Sequence, residues 1–196
     1  VRILVAFEHS GIVRDAFRAR GHDAWSCDLL PCDKGQNYHL QGDVSNLIRS
    51  KQVWDLIIMH PPCTALCVSG NRWYGRGMPK HEQRLASVRR TLLWWHTAIS
   101  VAPAVAMENP VGVLPMRATQ WIQPHQFGHP ESKRTGLWLH GLPTLVPTDI
   151  LPTPPSGRWE NQTPSGQNRL GPSADRWKIR SKTYPGIAAA MADQWG

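Results

Sequence analysis

Acidic residues are scarce in this chain of 196 residues: 14 Asp and Glu stand against 22 Lys and Arg, a formal charge of +8. That shortage favours polyanions such as nucleic acid as partners. Cysteine is scarce too, and four in an otherwise ordinary composition exclude a disulfide framework. Long apolar runs are missing. The opening stretch Val1-Arg2-Ile3-Leu4-Val5-Ala6 is cut at Glu8 before it reaches the length of a secretory apolar core. Nothing later approaches the ~18 apolar residues of a membrane span. No internal repeat and no low-complexity tract occurs. The expectation is a soluble, reduced, cytoplasmic protein with no membrane partner. With 41% hydrophobic residues, the length suffices for one sizeable core and not for two full domains.

What is present alternates between short apolar runs and amphipathic stretches. Val1 to Ala6 is a buried strand candidate. Ser10 then stands where it would cap the amphipathic stretch Ile12 to Arg20, which stops at Gly21. Ala24 to Asp28 predicts a second strand, Gly42-Asp43-Val44 ends a third short element, and Trp54 to Met59 predicts a fourth strand with both faces apolar. A long helical pattern from about Glu82 to Val101 leads into Ala104-Val105-Ala106-Met107, another buried strand, which closes at Glu108-Asn109-Pro110. This order predicts an α/β fold with a mostly parallel sheet and helices on both faces, a class that binds ligands at the carboxyl ends of its strands. From Gly141 to Lys182 prolines, glycines and serines dominate, which predicts loop. Pro185 then starts a last helix through Ile187, Met191 and Trp195.

The sharpest chemical feature is His60-Pro61-Pro62-Cys63-Thr64, directly after the fourth strand. A proline pair holds a cysteine rigidly at a strand end. A cysteine in an arbitrary turn is a small hydrophobe, but here the next strand ends in Glu108. A nucleophile and a carboxylic acid are thereby expected side by side at one edge of the sheet.

These residues resemble those of the DNA cytosine-5 methyltransferases, whose hallmark is a Pro-Cys loop after one strand and Glu-Asn-Val after the next. The likeness extends to Phe7-Glu8-His9-Ser10-Gly11, where that family has a glycine-rich loop for S-adenosylmethionine, and to Phe127-Gly128-His129-Pro130-Glu131-Ser132-Lys133-Arg134, similar to its Phe-Gly-Val-Pro-Gln-x-Arg stretch. Order and spacing cover about residues 1 to 140 and the last helix. The resemblance implies a Rossmann-like class I S-adenosylmethionine-dependent methyltransferase, a small member of phage or bacterial type, acting in restriction-modification or a related setting. It implies that Cys63 adds to carbon 6 of cytosine so that carbon 5 can take the methyl group, and that Glu108, with its pKa raised by burial, shares a proton with the ring. Lys133 is a source of positive potential for a thiol whose ordinary pKa is ~8.5. The cofactor is expected at Phe7, Glu8, Ser10, Gly11 and Ile12, at Asp28 with Leu29, at Asp43 with Val44, and at Pro61. Thr64 stands where the family usually has Gln, and Glu131, Lys133 and Thr135 stand where Gln, Arg and Arg are expected.

DNA is the implied partner. Arg72, Arg76 and Lys80 follow the cysteine loop, accompanied by Trp73 and Tyr74, and the segment continues with Arg84, Arg89 and Arg90 against Glu82 alone. A second cluster, Arg176, Lys178, Arg180 and Lys182 with Trp177, is either a charged linker or a track for phosphates. The expected division is a catalytic domain over 1–140, a loop-rich basic segment over 141–182 as a reduced target-recognition region, and a C-terminal helix over 183–196. Two other enzymes compete. A zinc deaminase needs Pro-Cys-x-x-Cys, whereas Cys63 and Cys67 are separated by three residues, so His60 and His81 read as loop or surface residues. An amino-methyltransferase places an aromatic residue after its prolines, where this chain has Cys63. A DNA-binding relative without activity would share the charge.

Overall fold

The computed structural model describes residues 1–50, 53–166, 168–171 and 173–196, so Gln167 and Pro172 of the expected loop segment lie outside the described residues. Seven strands form one sheet in the order β3-β2-β1-β4-β5-β7-β6: β1 is Arg2–Ala6, β2 Asp23–Asp28, β3 His39–Gln41, β4 Leu56–Met59, β5 Ala104–Pro110, β6 Gln120–Ile122 and β7 Thr135–His140. The first five are parallel, while β7 lies antiparallel to β5 and β6 antiparallel to β7. The molecule is thus α/β with a mostly parallel sheet, compatible with a Rossmann-like fold.

Alternation along each strand divides the core into two layers. Ile3, Val5, Leu56, Ile58 and Ala106 face α1 (Ile12–Arg18) and α6 (Pro185–Trp195), which bring Val13, Phe17, Ile187, Met191 and Trp195. Leu4, Ala6, Ile57, Met59, Val105 and Met107 face α2 (Val44–Ile48) and α4 (His81–Val101), which bring Val44, Ile48, Trp95 and Ala98. Helices therefore cover both faces, and apolar runs such as Leu-Ile-Ile-Met are needed because both sides of the strand are dry. Two short helices, α3 (Asn71–Tyr74) and α5 (Arg176–Ser181), complete the described elements of this kind beside two 3₁₀ turns. Among the described residues no helix is long and apolar enough to cross a membrane.

The chain reaches β2 on one side of β1 and β4 on the other, so strand order reverses between β1 and β4. A crevice opens at such a switch point, beyond the carboxyl ends of the strands. The loops after β1, β4 and β5 meet there. Two predicted boundaries need adjustment. Asp43 does not close a strand with Val44 but starts α2, its side chain accepting a hydrogen bond from the Ser45 N–H at 2.8 Å. The helix after β1 has Gly11 at its N-cap in left-handed conformation (φ 69°), and Ser10 Oγ accepts from the Ile12 N–H at 3.3 Å without capping the helix.

Candidate active site

The cysteine loop is held from three sides. Its first residue joins the sheet through the His60 N–H, which donates to the Ala6 carbonyl at 3.0 Å, and the Cys63 carbonyl accepts from the Leu66 and Cys67 N–H groups, both at 2.9 Å. Beyond it, Leu66 and Val68 pair with Val113 and Val111. Gly112 is required in that pairing, because a Cβ there would lie 2.4 Å from the Leu66 carbonyl oxygen. Arg84 closes the third side: its guanidinium donates to the Ala65 carbonyl at 2.7 Å, the Cys67 carbonyl at 3.1 Å and Asn71 Oδ1 at 2.7 Å. The basic run after the loop therefore does not act as a single surface. Arg84 is buried structure, whereas Arg72, Arg76 and Lys80 are exposed.

Parallel pairing of β4 with β5, Met59 opposite Met107, places His60 and Glu108 next to each other. His60 Nδ1 and Glu108 Oε2 are 2.8 Å apart, with the side chains only 9% and 10% exposed. His60 is thus in a loop, one of the two expectations from the sequence, but its side chain is buried rather than at the surface. Burial would push the Glu108 carboxyl up, but the hydrogen bond with His60, then the charges of Lys133 and His60, outweigh it and hold the carboxyl below its ordinary value. The expected upward shift is thus reversed: Glu108 is an ionised acceptor at neutral pH. Among the described residues His60 Nε2 and Asn109 Oδ1 are buried without a hydrogen-bond partner, while Asn109 Nδ2 donates to the Pro61 carbonyl at 3.2 Å.

Cys63 is half-buried, and no hydrogen bond reaches its sulfur among the described residues. Burial, followed by Cys67, pushes its thiol up to about 11, against the pull of Lys133 and Arg180, whose positive charges both reach it. Lys133 thus supplies the expected potential but does not win. The same lysine lies 5.7 Å from the Tyr184 ring centre, and its Nζ donates to the Lys182 carbonyl at 3.4 Å. The Tyr184 hydroxyl donates to Glu131 Oε2 at 2.6 Å. Burial and that bond push the phenol up, and the charges of Arg180 and Glu108 reach it as well. One cluster therefore contains Cys63, Glu108, Lys133, His60, Tyr184 and Arg180.

At the expected cofactor end the positions separate. Glu8 is 5% exposed and turns its carboxylate into its own chain, accepting from the Val13 N–H at 2.7 Å, the Arg14 N–H at 3.2 Å and Ser10 Oγ at 3.2 Å. It caps α1 and is spent there, so it does not project toward a ligand. Gly11 and Ile12 belong to this same turn. Its φ of 69° suits glycine, and a Cβ at Gly11 would stand 2.5 Å from Arg14 Nη2. Phe7 has a left-handed backbone (φ 62°) and packs on Trp94, ring centres 4.5 Å apart. Val44 and Pro61 are buried. By contrast Asp28, Leu29 and Asp43 reach the surface at adjacent strand ends. Asp28 spends one oxygen on the Leu30 N–H at 2.9 Å. Cys27, which lies between the two carboxylates, has its thiol pushed up to about 12 by burial and then by both of them. An acceptor pair with an exposed leucine suits the ribose and base of a nucleoside; Glu8 adds nothing to that fit.

The second basic cluster forms helix α5, not a linker, and it is tied down. Lys178 and Lys182 clamp Asp33 at 2.8 and 2.9 Å, and these two bonds hold the Asp33 carboxyl down at about 2. Lys178 is therefore paired with protein, while its side chain remains 39% exposed. Arg176 is half-buried, and Arg180 is exposed.

Reasoning from the sequence missed His60 and Tyr184. His60 carried a usable signal, since it occupies the residue directly after a fully apolar strand, the same place that singled out the acidic candidates. Tyr184 carried none, because its contact with Glu131 spans 53 residues. No protein-family model matches the chain, and no curated protein does.

Proposed function

We propose that the protein is a DNA cytosine-5 methyltransferase, which transfers a methyl group from S-adenosylmethionine to carbon 5 of cytosine through a covalent adduct of Cys63 at carbon 6. The observation that supports this most is the pairing of β4 with β5: it brings the Cys63 loop beside Glu108 under the shared positive potential of Lys133.

Carbon 5 of cytosine is a poor nucleophile. When Cys63 Sγ bonds to carbon 6, the thiol proton departs and the carbon 5–carbon 6 π pair becomes available at carbon 5. When bound, the cofactor would supply an electrophilic methyl group to that carbon and be left as the thioether S-adenosylhomocysteine. Loss of the carbon 5 proton then returns an electron pair, the carbon 6–sulfur bond breaks, and the thiol is restored. In the resting site Cys63 is a protonated thiol, which protects it, and Lys133 and Arg180 provide the positive potential that favours the sulfur as it becomes anionic. Negative charge spreads toward ring nitrogen 3 in the adduct. The hydrogen-bonded His60–Glu108 pair would share its proton with this nitrogen, so the pair, and not an isolated neutral carboxyl, performs the acid catalysis. Asp28, Leu29 and Asp43 would hold the adenosine portion of the cofactor, whereas Glu8 organises the loop below it.

Enzyme, cofactor and DNA containing cytosine should yield 5-methyldeoxycytidine on digestion to nucleosides and mass spectrometry. N4-methyldeoxycytidine would assign the site to an amino-methyltransferase instead, and the absence of any methylated nucleoside would leave a DNA-binding protein without this activity.

A further inference from the structure

Seven of the ten tryptophans are buried or half-buried; the exposed ones are Trp73 (53%), Trp177 (53%) and Trp121 (38%), and each stands on an element linked to the proposed site. Trp73 lies on α3, which Arg84 fastens to the cysteine loop through Asn71. Trp177 lies on α5 with its ring centre 6.0 Å from that of His9 in the loop after β1, and it shares a helix face with Arg180, whose charge reaches Cys63. Trp121 pairs with Gly136, which is itself opposite Asn109, the neighbour of Glu108. Exposed indoles on elements that border one site offer flat faces on which a ligand can stack.

Cations accompany them. Arg72 is 5.4 Å from the Trp73 ring centre and Arg134 is 4.6 Å from that of Trp121. Beside Trp121 a cavity of about 120 Å³ is lined by Pro110, Leu114, Met116, Arg117 and Trp138. Gly136 permits this arrangement, because a Cβ there would come within 3.1 Å of both indoles. Flat aromatic faces next to guanidinium groups, on a chain of formal charge +8, match a ligand with exposed bases and a phosphate backbone. In a duplex those base faces are stacked and out of reach. The helices among these elements, α3 and α5, have four and six residues, too short to lie along a major groove and read base edges.

We infer that single-stranded DNA is the form of substrate these elements receive, with bases flanking the target stacked on Trp73, Trp177 and Trp121. The inference rests on reading the Cys63–Glu108 site as one that modifies a base, and it names the substrate form for that site. An unpaired strand also relieves the protein of extruding the target from a helix, which otherwise costs a few kcal/mol.

The test measures fluorescence anisotropy of labelled oligothymidine, free and annealed to oligoadenosine, with the full chain. The single strand should bind about ten-fold tighter than the duplex, and Trp73→Ala and Trp177→Ala should each weaken single-strand binding about ten-fold with the melting temperature unchanged. Equal or tighter duplex binding, or variants that bind the single strand as the parent does, would overturn the inference. Because oligothymidine contains no cytosine, binding is scored apart from methyl transfer. Single-strand binding without methylation of any cytosine would sink the proposed activity alone, and methylation of duplex DNA without single-strand preference would sink this inference alone.

Discussion

Cys63→Ala should abolish the proposed methyl transfer, lowering the single-turnover rate by ~10⁴-fold or more, as removal of a covalent nucleophile does. The folded state tolerates the change. The Cys63 sulfur accepts and donates no hydrogen bond among the described residues, and the loop is fixed by Arg84, Gly112 and backbone pairing rather than by the thiol. Melting should therefore stay within about 1 kcal/mol of the parent. Cofactor binding should also persist, since Asp28, Leu29 and Asp43 lie at the ends of other strands. Retained turnover in this variant, measured with protein of unchanged melting temperature, would remove Cys63 from the mechanism.

Glu108→Gln should lower the rate ~10²-fold, because the amide keeps the shape and one acceptor for His60 Nδ1 but lacks the negative charge through which the pair shares a proton. The pH dependence separates this role from a structural one. The Glu108 carboxyl lies below its ordinary value in the folded protein, so its contribution to stability is full above the unfolded value and is lost as pH falls through the lower folded one. The acid limb of kcat/KM should accordingly lie below the ordinary carboxylate range. In His60→Phe the burial of Glu108 is opposed only by Lys133, and the limb moves upward; His60→Gln, which offers a donor again, moves it back part of the way. An acid limb that stays fixed in His60→Phe, with only the melting temperature lowered, would make the pair a structural tie.

Local pattern made most of the sheet legible. The apolar runs Ile3–Ala6, Leu56–Met59 and Ala104–Met107 fit strands dry on both faces, and the helical pattern read from about Glu82 to Val101 forms the long helix against them, which starts one residue earlier at His81. β7 was harder to see, because Thr135–His140 follows a loop and turns antiparallel at a sheet that is otherwise parallel. The juxtaposition of Cys63 and Glu108 was readable because Cys63 follows β4 and Glu108 lies near the end of β5, strands that pair directly. The sign of the Glu108 shift was not readable. It depends on whether desolvation or a specific partner dominates, and that partner, His60, lies 48 residues away. Glu8 and Lys178 show the complementary difficulty. A carboxylate in the first loop and a lysine in a basic cluster have the right charges for cofactor and DNA, yet local geometry commits one to the α1 amides and the other to Asp33.

The covalent step is the centre of the account, and DNA carrying 5-fluorocytosine tests it most directly, because fluorine cannot leave carbon 5 as a proton does. With cofactor present, the intact mass should rise by one DNA strand plus one methyl group, and peptide mapping should locate the bond at Cys63. An adduct at Cys67, or no adduct from protein that methylates ordinary cytosine efficiently, would contradict it.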